Sequence, residues 1–241
     1  MPEGNGRTPQ ENEERIMSHF FPCNEDPISI PAPEKHDLGE GGRVTAMEIS
    51  DVLGKCSKKS VPGPDQVLYG VWNRIHGINQ SIILELVNDI LEWRFHPPIS
   101  KMSIGVILPK PNKQDYTDCA IFKVIALMQA FLKIAKRVVN MRLMDVGYKA
   151  DIYCINQTGS LQQRSTVDAV MSLQHWIKEA QFVKKKVSIT FLDVKGSFDN
   201  VDYSKLMGKL ESNGRVPAYM VKWIHSFSTT RNIILAYPGS P

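Results

Sequence analysis

Residues 185–204, KKVSITFLDVKGSFDNVDYS, decide how the rest of the chain is interpreted, because an apolar run leads directly to an aspartate. Alternation over 187–194 predicts a β-strand in which Phe191 and Asp193 share one face with the apolar residues before them. An ionised carboxylate at the end of an apolar face is costly unless a partner compensates for it. A magnesium ion, a helix N-terminus or an arginine would each do so. These residues by themselves leave a metal-binding or catalytic role and a structural role open.

The residues after this strand predict a turn and the start of a helix. Asp199, Asn200 and Asp202 precede an amphipathic stretch, and the sequence DNVD is typical of turns and N-caps. Two short helices are predicted next, separated by Asn213 and Gly214. The end of the chain is therefore predicted as a strand, a turn and a pair of helices.

The sequence upstream of this segment is predicted to be mostly helical. Residues 1–43 are rich in Pro, Gly, Glu and Asn, which predicts a mostly extended, poorly ordered lead-in. Capping boxes at Thr45/Glu48 and Ser165/Asp168 mark the starts of two helices. The predicted elements are a helix over 45–56, a rigid Pro-Gly-Pro turn over 61–66, a helix over 79–93, a short strand and lysine-bearing loop over 103–113, and helices over 122–143 and 164–180.

Apolar stripes and charge indicate which faces are buried and which are solvated. The helix over 164–180 is expected to bury Val170, Leu173 and Ile177. Residues 101–149 contain nine Lys or Arg against three Asp, a local charge of +6 in a chain of net charge +4. Such an excess suits a polyanion partner, but a solvated helix face gives the same composition, so both interpretations stand.

Cysteine usage and hydropathy argue against several classes of protein. The four cysteines are far apart and form no C-x-x-C pair, so neither a structural zinc site nor a disulfide framework is expected. This pattern fits a reducing intracellular compartment, nuclear or cytoplasmic. The N-terminal sequence lacks the apolar core of a signal peptide, and no apolar run is long enough to predict a membrane span.

Five segments together resemble the reverse transcriptases of non-LTR (LINE-type) retrotransposons. In chain order, which is also the order in that family, they are KKSVPGPDQVLYGVWNRI, GVILPKPNK, FKVIALMQAFLKIAKRVVNMRL, NQTGSLQQRSTVDAV and FLDVKGSFDNVD. The forms PGPDQ, QTGSL and LAYPGSP are most similar to elements from fungal genomes. The resemblance implies an α+β right-hand polymerase fold, helix-rich with a small incomplete antiparallel sheet. It divides the chain into an extended segment over 1–43, a fingers-like helical region over 44–185 and a partial palm over 186–241.

The resemblance also implies roles for individual residues. Asp193 and the carbonyl group of Val194 would ligate Mg²⁺ in a two-metal site for nucleotidyl transfer. Phe198 would lie beneath the sugar of the incoming nucleotide and leave no room for a ribose 2′-hydroxyl. The partners implied are an RNA template, a DNA primer and deoxynucleoside triphosphates. Cationic contacts to the triphosphate would come from Lys110 or Lys113 together with Lys123, and contacts near the template from Arg164, Ser165 and Thr166. Without the resemblance, the lysines would be solvated side chains and Phe198 a core residue.

Three features depart from the family pattern. Lys123 stands where arginine is usual, which keeps the charge but loses the planar bidentate fork, and Lys136 stands where glutamate is usual. The sequence reaches Pro241 before the family's second palm motif and its Y-A-D-D hairpin. The expectation is therefore a polymerase fragment that is inactive alone and binds magnesium weakly or not at all. Two alternatives are a non-catalytic nucleic-acid-binding remnant that uses the basic fingers surface, and a metal-dependent nuclease built on Asp193, Asp199 and Asp202.

Overall fold

Helices make up most of the described chain, and three short strands form one sheet. The computed structural model describes residues 9–21, 34–39, 41–111, 119–194, 196–197 and 200–236. The helices are α1 (Pro9–Phe20), α2 (Ala46–Gly54), α3 (Tyr69–Ile78), α4 (Gln80–Glu92), α5 (Ala130–Lys149), α6 (Thr166–Phe182), α7 (Tyr203–Asn213) and α8 (Ala218–Ser228). The strands are β1 (Met102–Pro109), β2 (Phe122–Leu127) and β3 (Asn232–Ala236), and 3-10 turns at Pro98–Lys101 and Cys119–Ile121 precede β1 and β2. The helix-rich α+β class is thereby confirmed in its coarse form.

The sheet has the order β2-β1-β3 and is mixed, so the prediction of an antiparallel sheet is wrong. β1 and β2 form an antiparallel hairpin, with Ile104 opposite Leu127 at one end and Pro109 opposite Phe122 at the other. β3 lies parallel to β1, with Met102 opposite Asn232. A parallel neighbour needs a long crossover connection, and the chain between β1 and β3 supplies it through β2 and the helices that follow.

The strand predicted over 187–194 is absent from the described structure. Residues 185–194 have no regular secondary structure, and every one of them is exposed. A strand is stabilised by hydrogen bonds to a neighbour, and none of the three described strands pairs with this segment. Alternation in the sequence records the tendency to form a strand, but not whether a partner lies beside it.

The stretch 122–143, predicted as one helix, is divided between a strand and a helix. Its first six residues form β2 and pair with β1, and the helix begins only at Ala130. Burial alternates over Phe122, Lys123, Val124 and Ile125, as it does in a strand with one covered face. Cross-strand pairing therefore takes precedence over helical spacing at this end of the stretch.

The main core lies among α2, α3, α4, α5 and α8. Its fully buried side chains include Ile49, Ile83, Leu91 and Ile134, and Trp223 of α8 packs into the same cluster. The predicted Pro-Gly-Pro turn packs against the start of α5, because a Cβ atom at Gly63 would overlap the backbone of Met128 and Gln129. A second cluster, around Met207, Val216 and Met220, joins α7 and α8 to the C-terminal part of α5.

The N-terminal lead-in contains helix α1, where the sequence predicts a mostly extended chain. Ile16 packs with Leu235 and Cys119, and Ile107 and Val124 of the sheet lie against the same cluster. This contact explains the helix, because its apolar stripe covers one face of the sheet. Residues 22–33 lie outside the described residues, and the division of the chain at 43/44 and 185/186 stays a prediction. No helix in the described ranges is long and apolar enough to cross a membrane.

Helix α6 starts where the sequence predicts, but it buries none of its residues. Its capping box is present as predicted, since the Ser165 hydroxyl accepts from the Asp168 N–H and the Asp168 carboxylate accepts from the Ser165 N–H. The prediction that Val170, Leu173 and Ile177 are buried is wrong: Val170 is exposed and the other two are half-buried. The local start signal is thus present in a helix that has no fully buried side chain.

Candidate nucleic-acid interface

The β1–β2 hairpin places two of the predicted triphosphate lysines at one end of the sheet. Lys110 directly follows β1, and its backbone N–H donates to the carbonyl oxygen of Ile121 at 2.8 Å. Lys123 is exposed on β2, opposite Leu108. The hairpin therefore brings Lys110 and Lys123 to the same end. Lys113 lies outside the described residues.

The sheet face beside Lys123 is open and largely apolar. Strand alternation puts Lys123, Ile125 and Leu108 on the face opposite the one that α1 covers. Leu108 and Ile125 are exposed, and so is Ile234 of β3. An apolar surface can contact a flat aromatic ring, and cations beside it can bind a phosphate group. A nucleotide carries both groups, a base and one or more phosphates.

Asp193 lies at the end of the exposed segment 185–194, and not on a strand. Val194 beside it is also exposed, whereas Phe198 and Asp199 lie outside the described residues. Within the described ranges, no three His, Cys, Asp or Glu side chains form a group that could hold a metal ion. The donor set available there is one carboxylate and backbone carbonyl groups, which does not fit a two-metal site.

Asp202 has a local structural role, as the sequence predicts. Its carboxylate caps α7 by accepting from the Lys205 N–H at 3.0 Å, and it forms an ion pair with the Lys205 ammonium at 3.3 Å. The backbone hydrogen bond from Lys205 is the main cause of its lowered pKa. The nuclease alternative, which needs Asp199 as well, stays untested.

Arg164, Ser165 and Thr166 form the entry to α6. The Arg164 guanidinium donates to three backbone carbonyl groups, those of Cys154 at 3.1 Å, Ile155 at 2.7 Å and Gln157 at 2.5 Å. Ser165 is the N-cap, and Thr166 is the first helical residue. These contacts shape the loop before α6. The loop borders a cleft of about 680 Å³ that Arg164 lines together with Arg142 and Tyr148.

A group of cations that the sequence does not predict lies where β1, β3 and α5 meet. The parallel register of Met102 with Asn232 sets Lys101 and Arg231 side by side, because each directly precedes its strand. We call Lys101, Lys136, Arg137 and Arg231 the cationic cluster. Burial lowers the pKa of Lys101, and the Arg231 guanidinium lowers it further. The pKa of Lys136 is also lowered, mainly by burial, then by Arg231 and then by Arg137. Helical spacing in the sequence indicates that Lys136 and Arg137 lie on one face of α5. The position of Arg231 beside them depends on the pairing of β3 with β1, which the sequence does not indicate.

Comparisons with known proteins identify one matching family and several relatives. The family described as "Reverse transcriptase (RNA-dependent DNA polymerase)" matches residues 108–237. The chain is 26% identical over 198 residues to "Probable RNA-directed DNA polymerase from transposon BS" of Drosophila melanogaster, covering 82% of this chain and 21% of that protein. It is 27% identical over 200 residues to "Retrovirus-related Pol polyprotein from type-1 retrotransposable element R2" of Nasonia vitripennis, covering 80% and 18%.

A further relative is "Retrovirus-related Pol polyprotein from type-1 retrotransposable element R1" of Bradysia coprophila, 25% identical over 207 residues, with 81% of this chain and 19% of that protein covered. The chain spans about a fifth of the length of these relatives. The predicted similarity to fungal elements stays a prediction.

Proposed function

The chain belongs to the reverse transcriptase (RNA-dependent DNA polymerase) family, and from this premise we propose that it forms part of a non-LTR retrotransposon polymerase that copies RNA into DNA. The observation that carries the proposal is the family match over residues 108–237, which runs from the β1–β2 hairpin past Asp193. The partners are an RNA template, a DNA primer and deoxynucleoside triphosphates. In this assignment the chain has a right-hand architecture, with fingers over 44–185 and palm residues over 186–241.

The hairpin is the proposed binding site for the incoming nucleotide. Lys110 and Lys123 lie at one end of it, beside an open apolar face of the sheet. Ammonium groups bind phosphate oxygens through charge-assisted hydrogen bonds, and the aliphatic face beside them can contact the base or sugar. Arg164 organises the loop that leads into α6, and we assign this loop, with Ser165 and Thr166, to the template side.

Asp193 and the carbonyl group of Val194 are the candidate magnesium ligands, and Phe198 is the candidate sugar gate. The metal would supply charge stabilisation for the triphosphate and activation of the primer hydroxyl. The described residues do not complete such a site, so no chemical step is derived from them. Asp193 is accessible, since its side chain is exposed.

A second candidate function is nucleic-acid binding without catalysis. The cationic cluster supports it, because positive charge on a folded surface binds phosphate backbones regardless of any metal site. The two candidates differ in one property: only a polymerase domain should capture a nucleotide that is complementary to the template.

Nucleotide capture can be tested by photo-crosslinking to the recombinant chain. A photoreactive dTTP analogue is added with poly(rA)/oligo(dT), and the labelled peptide is identified by mass spectrometry. We expect labelling within 102–127 that depends on the heteroduplex and is competed by dTTP. Lys123→Ala should reduce it, and Lys123→Arg should increase nucleotide affinity because guanidinium can bind phosphate through two parallel hydrogen bonds. Lys178→Ala, which changes an exposed lysine on α6, is the matched control.

The assignment of the hairpin to nucleotide binding would be contradicted if labelling did not depend on the heteroduplex. Equal labelling of Lys123→Ala and Lys178→Ala would contradict it as well. Heteroduplex binding without such labelling would favour the second candidate.

A further inference from the structure

The cationic cluster joins residues from three parts of the chain. Arg231 reaches from the start of β3 towards α5, since its Nη2 donates to the sulfur of Met128 at 3.1 Å, just before that helix begins. Lys136 and Arg137 are adjacent on α5. Lys101 lies behind them and is only 2% exposed, whereas Lys136, Arg137 and Arg231 are exposed residues. The cluster therefore has a buried cation at its base and three cations that solvent can reach.

None of the four cations has an acidic partner among the described residues. Arg231 lies over the Phe227 ring at 4.1 Å, and the Lys101 ammonium donates to the Thr230 hydroxyl at 3.1 Å. Arg137 donates to the sulfur of Cys56 at 3.2 Å and lies 5.9 Å from the Tyr69 ring. The ion pairs between described side chains involve none of the four.

The same helix shows what a cation with a purely structural role does here. Arg142, also on α5, binds both carboxylate oxygens of Glu48, at 2.7 and 2.9 Å. The cluster instead holds like charges close together: burial lowers the pKa of Lys101, Lys136 and Arg231, and the Arg231 guanidinium further disfavours the charged forms of the two lysines. Such an arrangement costs stability in the unbound protein, and an anion would relieve that cost.

We propose that the cationic cluster is a phosphate-binding site for the backbone of a nucleic-acid strand, separate from the lysines of the hairpin. This inference rests on the proposed function, from which it takes nucleic acid as the occupant. The two guanidinium groups and the Lys136 ammonium group can reach the oxygen atoms of phosphodiesters, and the buried Lys101 adds positive charge beneath them. The cations are spread over α5 and the starts of two strands, which suits successive phosphates of a strand better than one compact triphosphate.

Salt-dependent binding of single-stranded RNA tests the site. The anisotropy of fluorescein-labelled oligo(A) is titrated with the recombinant chain over a range of KCl concentrations, for the parent and for Lys136→Gln/Arg137→Gln. Loss of two phosphate contacts should raise Kd roughly tenfold or more at moderate salt and reduce the slope of log K against log [KCl] by about 1.4. Lys209→Gln/Lys222→Gln removes the same charge from exposed positions on α7 and α8 and should change Kd less than about twofold.

Arg231→Lys and Arg231→Gln give a second measurement that keeps the α5 cations intact. The lysine variant should bind oligo(A) more tightly than the glutamine variant, because it retains the charge. Circular dichroism and thermal unfolding establish that each variant is folded before its Kd is compared. Equal affinity of the α5 double variant and the α7/α8 control, or equal salt slopes, overturns the site.

Inorganic tripolyphosphate and dTTP distinguish the source of the phosphate. Weak competition by both, at concentrations far above the oligo(A) Kd, supports a backbone site. Displacement of oligo(A) by low concentrations of either, lost in Lys136→Gln/Arg137→Gln, overturns the backbone assignment in favour of a triphosphate site. The nucleotide labelling of the hairpin should survive in the cluster variants, so a failure of labelling in the parent counts against the proposed function and leaves cluster-dependent RNA binding to be judged separately.

Discussion

Helix α5 has no side-chain cap and lies in the main core, whereas helix α6 starts with a capping box and has no fully buried residue. Ile134, Ala135 and Val138 of α5 have no exposed surface, whereas no residue of α6 is buried. The segment after α6 is also apolar and open, with Phe191 83% and Leu192 91% exposed. The amphipathic pattern of a helix thus indicates that a partner is needed, while the position of that partner depends on the rest of the fold.

Truncation of a side chain should change the free energy of unfolding far more in the main core than in α6, and this is the largest effect that we expect. Ile134→Ala should lower the free energy of unfolding by about 3 kcal/mol, because it removes buried methyl groups and leaves a cavity. Val170→Ala on exposed α6 should change it by less than about 0.5 kcal/mol. Urea unfolding followed by circular dichroism measures both, and equal losses would show that α6 is buried in solution.

Acid should destabilise the packed region through His96. Burial, and then the nearby Arg231 and Lys101, lower its pKa from 6.5 to about 4. The unfolded chain therefore takes up a proton as the pH falls below about 6.5, while the folded chain does not until about pH 4. Stability should decline across that window by on the order of 2–3 kcal/mol from this group.

Comparison of variants isolates the contribution of His96 from those of the carboxylates. His96→Phe should flatten the decline of unfolding free energy between pH 6.5 and pH 4 relative to the parent. His175→Gln replaces an exposed ring on α6 and should keep the parental profile. A parental decline in His96→Phe would mean that the imidazole is hydrated or paired in the folded protein.

The sequence predicted those parts of the fold whose signals are local. The helices predicted over 45–56 and 79–93 appear as Ala46–Gly54 and Gln80–Glu92, because apolar spacing and caps act within a few residues. Strands depend on a neighbour that local spacing does not reveal. The sequence pattern therefore predicts a helix where β2 forms, and it predicts a strand over 187–194, which has no described partner.

In the candidate site too, contacts between residues that are close in sequence can be predicted, whereas contacts between distant segments cannot. Lys110 and Lys123 are close in sequence, and a hairpin brings them to one end of the sheet. Arg231 adjoins Lys101 only because β3 pairs in parallel with β1, a contact between distant segments that spacing cannot indicate. The roles of Asp193 in metal binding and of Arg164 in template binding stay predictions.

Replacement of Arg142, which lies in the packed region, should lower the free energy of unfolding by an intermediate amount. It binds Glu48 and the Tyr219 hydroxyl, and it also donates to the carbonyl groups of Gly42 and Arg43. Burial acts to raise the pKa of Glu48, but hydrogen bonds from Arg142 and Thr45 lower it overall. Arg142→Met leaves this carboxylate half-buried and without its cation, which should cost about 2 kcal/mol.

A matched ion pair on the same helix gives the control for Arg142. Lys149 and Asp145 form an exposed pair at 2.7 Å, and Lys149→Met should change the free energy of unfolding by less than about 0.5 kcal/mol. A double-mutant cycle with Glu48→Gln then measures the coupling free energy of the half-buried Arg142–Glu48 pair. Zero coupling would show that the carbonyl contacts, and not the ion pair, give Arg142 its effect.

The two capping boxes should produce the smallest effects and the most direct comparison. Thr45 caps α2, which packs in the main core, and Ser165 caps α6, which does not. Thr45→Ala should lower the free energy of global unfolding by about 1 kcal/mol, because loss of the cap destabilises a helix that unfolds with the core. Ser165→Ala removes the same kind of hydrogen bond, and hydrogen bonds from Ser165 are what lower the pKa of Asp168.

Ser165→Ala should leave the global unfolding midpoint unchanged and accelerate amide hydrogen exchange only within α6, because a helix with no fully buried residue opens independently of the core. Exchange in α2 is the internal reference and should match the parent. If Ser165→Ala shifted the global midpoint as much as Thr45→Ala does, α6 would have to be coupled to the core, and the distinction between the two regions would fail. If neither variant changed amide hydrogen exchange in its own helix, packing or intrinsic helix propensity would maintain both helices. The capping boxes would then contribute nothing to their stability.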